Sequence, residues 1–371
     1  MTNWELFRHL CLIIGGQRSE TLGEIIDQGA FERLAELAHE RDLLPALACR
    51  LDEYAGSTAN ISAEIRDKLT QALKENTGLK LQIKAQAIKL TRALNAVGIE
   101  PIFLKGTAQL LTNSNLAVGF RKQVDIDLLV RPGQIEATCE ALKHEGYRFY
   151  NAYGDSQETF NDTARALTLG AHHHHLPPMV KEGYSATLEI HKHPLRRRFD
   201  RALPVKQLLE STLSCDSHGA KFLVPTPDLQ LLQLTLGDFI HDGYAARFDF
   251  PVRAGHDYIA FINQYADNAG AYSQTGADSR FNSSLPLFEQ LVTEFMGLSE
   301  EKRIYPPRNI QNRLKLMEMR CNMPSVARAL DQQARWRYLG LSLWYDSGKL
   351  SAYLARKRGS KQLTSVAAGH R

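Results

Sequence analysis

Asp125-Ile126-Asp127 lies in the otherwise apolar run V-D-I-D-L-L-V (residues 124–130), and no other feature constrains the fold of this chain as tightly. Side chains on a β-strand alternate faces, so the two carboxylates share one side with Leu129 while Ile126, Leu128 and Val130 take the other. Two acids held side by side repel each other. A solvated strand edge would tolerate the pair, but a strand this apolar sets it against a buried layer, where unpaired charge is costly. A cation between the carboxylates removes the conflict. Hard oxygen ligands of this kind suit Mg²⁺ bound jointly with substrate phosphates.

Patterning around this strand divides the chain into three. Residues 1–98 read as an N-terminal helical region, with helices over 4–14, 31–53 and 62–96. In the last of these Ile65, Leu69, Leu73, Leu79, Leu81, Ile83, Ile88, Leu90 and Leu94 recur near helical spacing, and Gly98 supplies a stop. Residues 99–222 switch to short apolar strands at 102–104, 124–130, 147–150 and 185–191, with a helix over 134–144. The polar stretch 151–183 is too long for a passive connection. Residues 223–371 return to helices, opening at Thr226-Pro227-Asp228 with an N-cap and a first-turn proline. Further helices are expected over 252–266, 285–297, 310–320 and 325–354, and 357–371 reads as a frayed basic tail. The expected class is α+β: a small mixed sheet with flanking helices, enclosed by the two helical regions.

Composition narrows function only modestly. Among 371 residues, 45 Lys and Arg against 41 Asp and Glu leave a charge of +4, compatible with anionic ligands but too small to argue for nucleic acid by itself. No apolar run is long enough for a membrane span, and residues 1–15 lack a signal-peptide layout, so a cytoplasmic location is expected. The five cysteines are scattered, odd in number and never in a CxxC pair, which reads as reduced thiols.

Three pieces carry chemistry. Lys105-Gly106-Thr107 follows a strand and precedes a helix expected over 108–111. Glycine there permits a tight turn, the helix N-terminus faces an anion with free amides, and Lys105 and the Thr107 hydroxyl add to a phosphate cradle. Asp125 and Asp127 form the second piece. The third is T-L-E-I-H (residues 187–191), where Glu189 and His191 share a strand face; an exposed face is the alternative. Arg121, in the loop before the acidic strand, either meets triphosphate oxygens or is a surface arginine. In the run His172-His173-His174-His175, followed by Leu-Pro-Pro, His175 is best read as facing a substrate; adventitious metal binding by the run is the other reading. Arg196, Arg197, Arg198 and Arg201 form a basic stretch that either contacts an anionic acceptor or is a solvated face.

In this order the motifs resemble the nucleotidyltransferase superfamily with the DNA polymerase β type of core, and more closely a bacterial family described as uncharacterised nucleotidyltransferases. F-L-K-G-T (103–107) matches the turn, G-F-R (119–121) and D-I-D-L-L-V (125–130) the acidic strand, H-L-P-P (175–178) a middle element, and L-E-I-H (188–191) the third strand. The likeness covers about residues 80–245. It departs from the superfamily in Thr107 for the usual Ser, in Glu189 for a frequent Asp, and in a longer gap from Gly106 to Asp125. The resemblance implies two Mg²⁺ ions held by Asp125, Asp127 and Glu189, with Glu189 completing the cluster or serving as base. It also implies an NTP whose phosphates lie on Gly106 and Thr107 and transfer of a nucleoside monophosphate to an acceptor; Lys105 and Arg121 are read as further phosphate-holding residues, and His175 and His191 as substrate-binding ones. The acceptor is left open among a small molecule, a peptide, a protein and RNA. The alternative is a non-catalytic nucleotide- or protein-binding module that keeps the fold; a hydrolase using metal on the His run is a third reading.

Overall fold

The computed structural model describes residues 1–16, 19–54, 58–112, 119–151, 158–265 and 283–345. The N-terminal helices are α1 (Asn3–Ile14), α2 (Ser19–Asp27), α3 (Phe31–Glu40), α4 (Leu44–Asp52) and the 34-residue α5 (Ala63–Ala96). Thr2 and Glu5 cap α1 reciprocally: the Thr2 hydroxyl accepts from the Glu5 amide, and the Glu5 carboxylate accepts from the Thr2 amide. The single helix expected over 31–53 is two. Asp42 adopts φ +57°, and Pro45 sits in the first turn of α4, where an unbroken helix would drive its ring into the Arg41 carbonyl.

The apolar stripe of α5 also differs from expectation. Leu81 is 54% exposed, whereas Asn76 and Lys80 are buried on a stripe with Leu69, Ile83, Ala87, Leu90 and Leu94. Each of these seven positions follows the last by three, four or seven residues, so the polar pair sits where the helix faces the core.

The sheet elements are β1 (Ile102–Phe103), β2 (Asp125–Leu129), β3 (Arg148–Asn151), β4 (Glu158–Phe160), β5 (Met179–Val180), β6 (Thr187–His191), β7 (Thr212–Ser217) and β8 (Ala220–Pro225). Between them run α6 (Lys105–Thr112), α7 (Ile135–His144), α8 (Thr163–Leu169) and α9 (Val205–Glu210). The strands form one mixed sheet in the order β4-β3-β5-β6-β2-β1-β8-β7. β2 is central, parallel to β6 and antiparallel to β1. The stretch 151–183 is not a passive connection: it contributes β4, α8 and β5. The β7–β8 hairpin was not anticipated. His218 and Gly219 turn it with φ of +54° and +76°, the backbone a tight hairpin requires, while Ala220, Phe222 and Val224 bury one face of β8.

Beyond the sheet, α10 (Pro227–Leu234) runs into a π-helical segment, Thr235–His241, followed by α11 (Tyr244–Arg247), α12 (Val252–Tyr265), α13 (Ser284–Met296), α14 (Gln311–Asn322) and α15 (Pro324–Tyr345). Gly297 ends α13 at φ +69°. The expected continuation of the last helix to 354 and the tail at 357–371 lie outside the described residues.

Two apolar cores meet at the sheet. Ile126, Leu128, Leu188 and Ile190 pack with Ile83, Ala87 and Leu90 of α5 and Cys139 and Leu142 of α7. Leu129, from the opposite face of β2, joins a core built by the N-terminal and C-terminal helices together, in which Phe250 stacks on Phe295 and Phe7 packs against it at a tilt. Strand alternation therefore turns Asp125 and Asp127 away from α5 and α7. The architecture is the α+β one expected. Among the described residues no helix is long and apolar enough to cross a membrane, and all five cysteines are free thiols.

Candidate functional site

Parallel pairing of β2 with β6 sets Asp127 opposite Glu189, Asp125 opposite Thr187 and Leu129 opposite His191. Opposed residues on adjacent strands are about 5 Å apart and point the same way, so Asp127 and Glu189 converge, with His191 two residues further along the same face. Among the described residues this brings together one set of potential metal ligands, Asp127, Glu189 and His191, whose ligand atoms all lie within 4.8 Å of one another. Asp125 shares their face but is not a member of that set.

Asp127 is the hub. Its Oδ1 accepts from Lys105 Nζ at 2.6 Å and from His191 Nε2 at 2.8 Å, and it is almost wholly buried. His191 Nε2 is also 3.5 Å from Glu189 Oε2, and His175 Nε2 lies 3.8 Å from the same oxygen. His191 Nδ1 contacts the His193 carbonyl at 3.2 Å. Carboxylates and carbonyls only accept, so this geometry asks both ring nitrogens to donate, which describes an imidazolium.

Burial alone would raise the Asp127 carboxyl, but Lys105 and His191 outweigh it and hold it far below its usual range. Burial and Lys105 oppose protonation of His191, yet its bonds to Asp127 and Glu189 prevail and raise it. Burial likewise opposes ionisation of Glu189, and His191 and His175 win, lowering it. Asp125 behaves differently: burial and the neighbouring Asp127 push it up. One face thus carries two acids held ionised and one held closer to neutrality.

α6 opens at Lys105, not at 108, so Lys105, Gly106 and Thr107 form its first turn. Lys105 itself takes the left-handed φ of +49°. Gly106 is required for a different reason than turn geometry: a Cβ there would overlap the Arg121 guanidinium. Arg121 is only 14% exposed, and its Nε donates to Asp257 Oδ2 on α12 at 2.6 Å. The buried Thr107 hydroxyl accepts from Gln123 Nε2 at 2.9 Å and from the Asp127 amide at 3.3 Å, tying α6 to β2. Gln123 completes the brace. Its amide also donates to the Asp125 carbonyl at 2.7 Å, and its Oε1 accepts from Lys80 of α5 at 2.7 Å. Gln123→Ala would leave these buried groups unpaired, each worth about 1–3 kcal/mol. A urea midpoint lowered by the equivalent of at least about 2 kcal/mol is the expected result.

The His run approaches the site from the side. His175 forms a β-bridge with His191, and the His174 ring lies 5.2 Å from His191 and 6.1 Å from His241 of the π-helical segment. Burial keeps the His174, His175 and His241 imidazoles below their usual range. In the same segment burial raises Asp238 to about 6, against the pull of Arg121 and Arg253. A carboxyl raised in the fold binds protons that the unfolded chain has released, so stability falls as pH climbs from about 4 to 6. Asp238→Asn removes that slope. It should melt higher than the native protein at pH 8, by on the order of 1–2 kcal/mol after allowance for partial exposure, and equal it near pH 4 in thermal scans.

Several participants escaped the sequence reading: Lys80, Gln123, Asp238, His241 and Asp257. For Lys80 and Asp257 a signal existed. Lys80 interrupts the buried stripe of α5, and Asp257 lies in the otherwise buried run from Ala254 to Tyr258. A charge on the core face of a helix calls for a buried partner.

The donor set suits a divalent cation. Asp127 and Glu189 are held ionised with their oxygens within one ligand sphere, His191 can join them as a donor only after giving up its second proton, and the Lys105 ammonium is drawn onto the shared oxygen, as strong local negative charge demands. No curated protein and no solved structure matches the chain. A family model described as uncharacterised nucleotidyltransferase matches residues 27–297, which takes in α3 through α13 and every strand of the sheet. The chain belongs to this uncharacterised nucleotidyltransferase family.

Proposed function

We propose that the protein transfers a nucleoside monophosphate from an NTP to an acceptor, with Mg²⁺ held by Asp127, Glu189 and Asp125. The observation that carries this reading is the pairing of Asp127 with Glu189 across parallel strands, directly beside the first turn of α6 and its lysine, in a chain of nucleotidyltransferase family. Bound there, divalent ions would neutralise charge on the attacking and leaving oxygens.

The chain's own residues supply the remainder. The NTP phosphates lie at the N-terminus of α6, where free amides and Lys105 meet them. Lys105, bonded to Asp127 here, would meet a phosphate oxygen from the same turn with the acids holding cation. Arg121, packed on Gly106, keeps positive charge behind the same turn. His191 orients Asp127 through a hydrogen bond and stands 3.5 Å from Glu189 on the same side. Glu189, held ionised, accepts the acceptor's proton as its oxygen attacks the α-phosphorus.

The test is to incubate the protein with each α-labelled NTP, Mg²⁺ and a cell lysate, alongside calorimetry of Mg²⁺·NTP binding. Label transferred to a discrete acceptor, and lost with EDTA, is the expected result. Absence of both transfer and Mg²⁺·NTP affinity would reject the reading in favour of a non-catalytic module.

A further inference from the structure

Lys80 of α5 and Gln123 are polar side chains set into the core beside the acidic strand, each only 4% exposed. A buried ammonium is costly. Burial, with Arg121 close by, brings this one down to about 7 against the pull of Asp257 and Asp125. The helix nevertheless carries a lysine on its core face, and its hydrogen bond is to an amide, not to a carboxylate: Lys80 Nζ donates to Gln123 Oε1 at 2.7 Å. The use of the lysine lies in what that amide holds.

An ammonium only donates and a carbonyl only accepts, so the amide between Lys80 and Asp125 has one orientation. Oε1 faces the lysine, and Nε2 donates both to the Asp125 carbonyl at 2.7 Å and to Thr107 Oγ1 at 2.9 Å. The Thr107 hydroxyl also accepts from the Asp127 amide at 3.3 Å, which takes both its lone pairs, and Thr107 is wholly buried. These bonds therefore grip the acidic strand on both sides of Ile126, at the carbonyl of Asp125 and the amide of Asp127. Through Thr107 they fasten it to the first turn of α6.

We infer that Lys80 and Gln123 are positioning residues for nucleotidyl transfer: they set the separation between the acids of β2, which take the cation, and the first turn of α6, which takes the triphosphate. The inference rests on the nucleotidyltransferase reading above. A cation on the acids completes its shell with phosphate oxygens only when both sets of ligands fall within one sphere of about 2 Å radius. A misplacement of about 1 Å is enough to cost about a hundredfold. Lys80 and Gln123 act through the backbone and through Thr107, without bonding to ion or nucleotide. Their loss should leave each half of the site able to bind and should break the link between the halves.

Calorimetry of the full chain at about pH 6, where Lys80 keeps its proton, would titrate Mn²⁺ alone, ATP in EDTA, and ATP at saturating Mn²⁺. In the native chain Mn²⁺ should tighten ATP at least tenfold. Lys80→Met should bind Mn²⁺ alone no more weakly than the native chain, and its enhancement of ATP binding by Mn²⁺ should fall at least tenfold. An unchanged enhancement in the folded variant would overturn the inference. So would ATP binding weakened to the same degree with and without Mn²⁺, which would make Lys80 a distant charge, or loss of affinity for Mn²⁺ alone, which would make it a support of the acids themselves. If Lys80→Met does not fold, Lys80→Met/Gln123→Met takes its place, since it removes both partners of the buried bond together. Failure of both to fold would assign the pair to stability alone and overturn the inference. A native chain without Mn²⁺·ATP affinity would instead reject the nucleotidyltransferase reading, and this inference with it.

Discussion

Asp127→Asn is expected to lower nucleotidyl transfer by about 10³-fold or more, the scale on which loss of a preorganised charge at a reacting phosphate is felt. The amide keeps the size of the side chain but gives up the charge that Lys105 and His191 share. Breaking a buried ion pair from one side costs on the order of 3 kcal/mol, so the variant should also unfold at lower urea. Its pH dependence is specific. The Asp127 carboxyl is depressed, so its stabilising contribution is full above its ordinary value of 3.8 and fades as pH falls through the depressed one. His191 is raised, so its contribution is full below its ordinary value of 6.5 and fades as pH rises through the raised one. The stability gap between native protein and variant should therefore be widest between about pH 4 and 6.5, the interval these two ordinary values bound. Urea titrations at pH 3, 5.5 and 9 would measure it, and a gap that is flat across them would rule out the coupling.

Arg121→Ala should destabilise the fold by roughly 3–5 kcal/mol, because it strands a carboxylate at Asp257 that is 1% exposed. His256 Nδ1, 3.7 Å from the other Asp257 oxygen, is too far to replace the guanidinium. Adding Asp257→Ala to Arg121→Ala should recover a large part of the loss, since the remaining cost of the single variant is an unpaired charge and not a missing contact. Gly106→Ala attacks the same pair from the side: its methyl group would displace the guanidinium, at about 1–3 kcal/mol for overpacking. A thermodynamic cycle on Arg121 and Asp257 in which the double variant is as unstable as the sum of the singles would show that the pair is not the source of the effect.

The parts of this protein that could be read from the sequence are those set by local periodicity. Alternation in residues 124–130 placed Asp125 and Asp127 on one face, and alternation in 187–191 placed Glu189 with His191. The helical N-terminal region and the stop at Gly98, which adopts φ +78°, were legible for the same reason. The break at Asp42 was missed because a left-handed residue and a first-turn proline are short-range events inside a pattern that reads helical on both sides. The β7–β8 hairpin was missed because its strands are short and β7 carries little apolar signal, with Leu213 42% exposed.

Sequence alone determined which chemical groups this chain can bring to a reaction, because face and spacing are properties of single elements: two acids on one strand, an acid and an imidazole on another, a lysine at a strand-to-helix junction. Tertiary structure decided which of them meet. Asp127 finds Glu189 and His191 only through parallel pairing of β2 with β6, some 60 residues apart in the chain. Arg121 finds Asp257 across 136 residues, and that pairing explains why position 106 must be glycine. Burial of an ion pair and the register of a parallel sheet are both set by contacts between distant elements. Local periodicity carries no information about such contacts, and only packing of the two helical regions against one sheet fixes them.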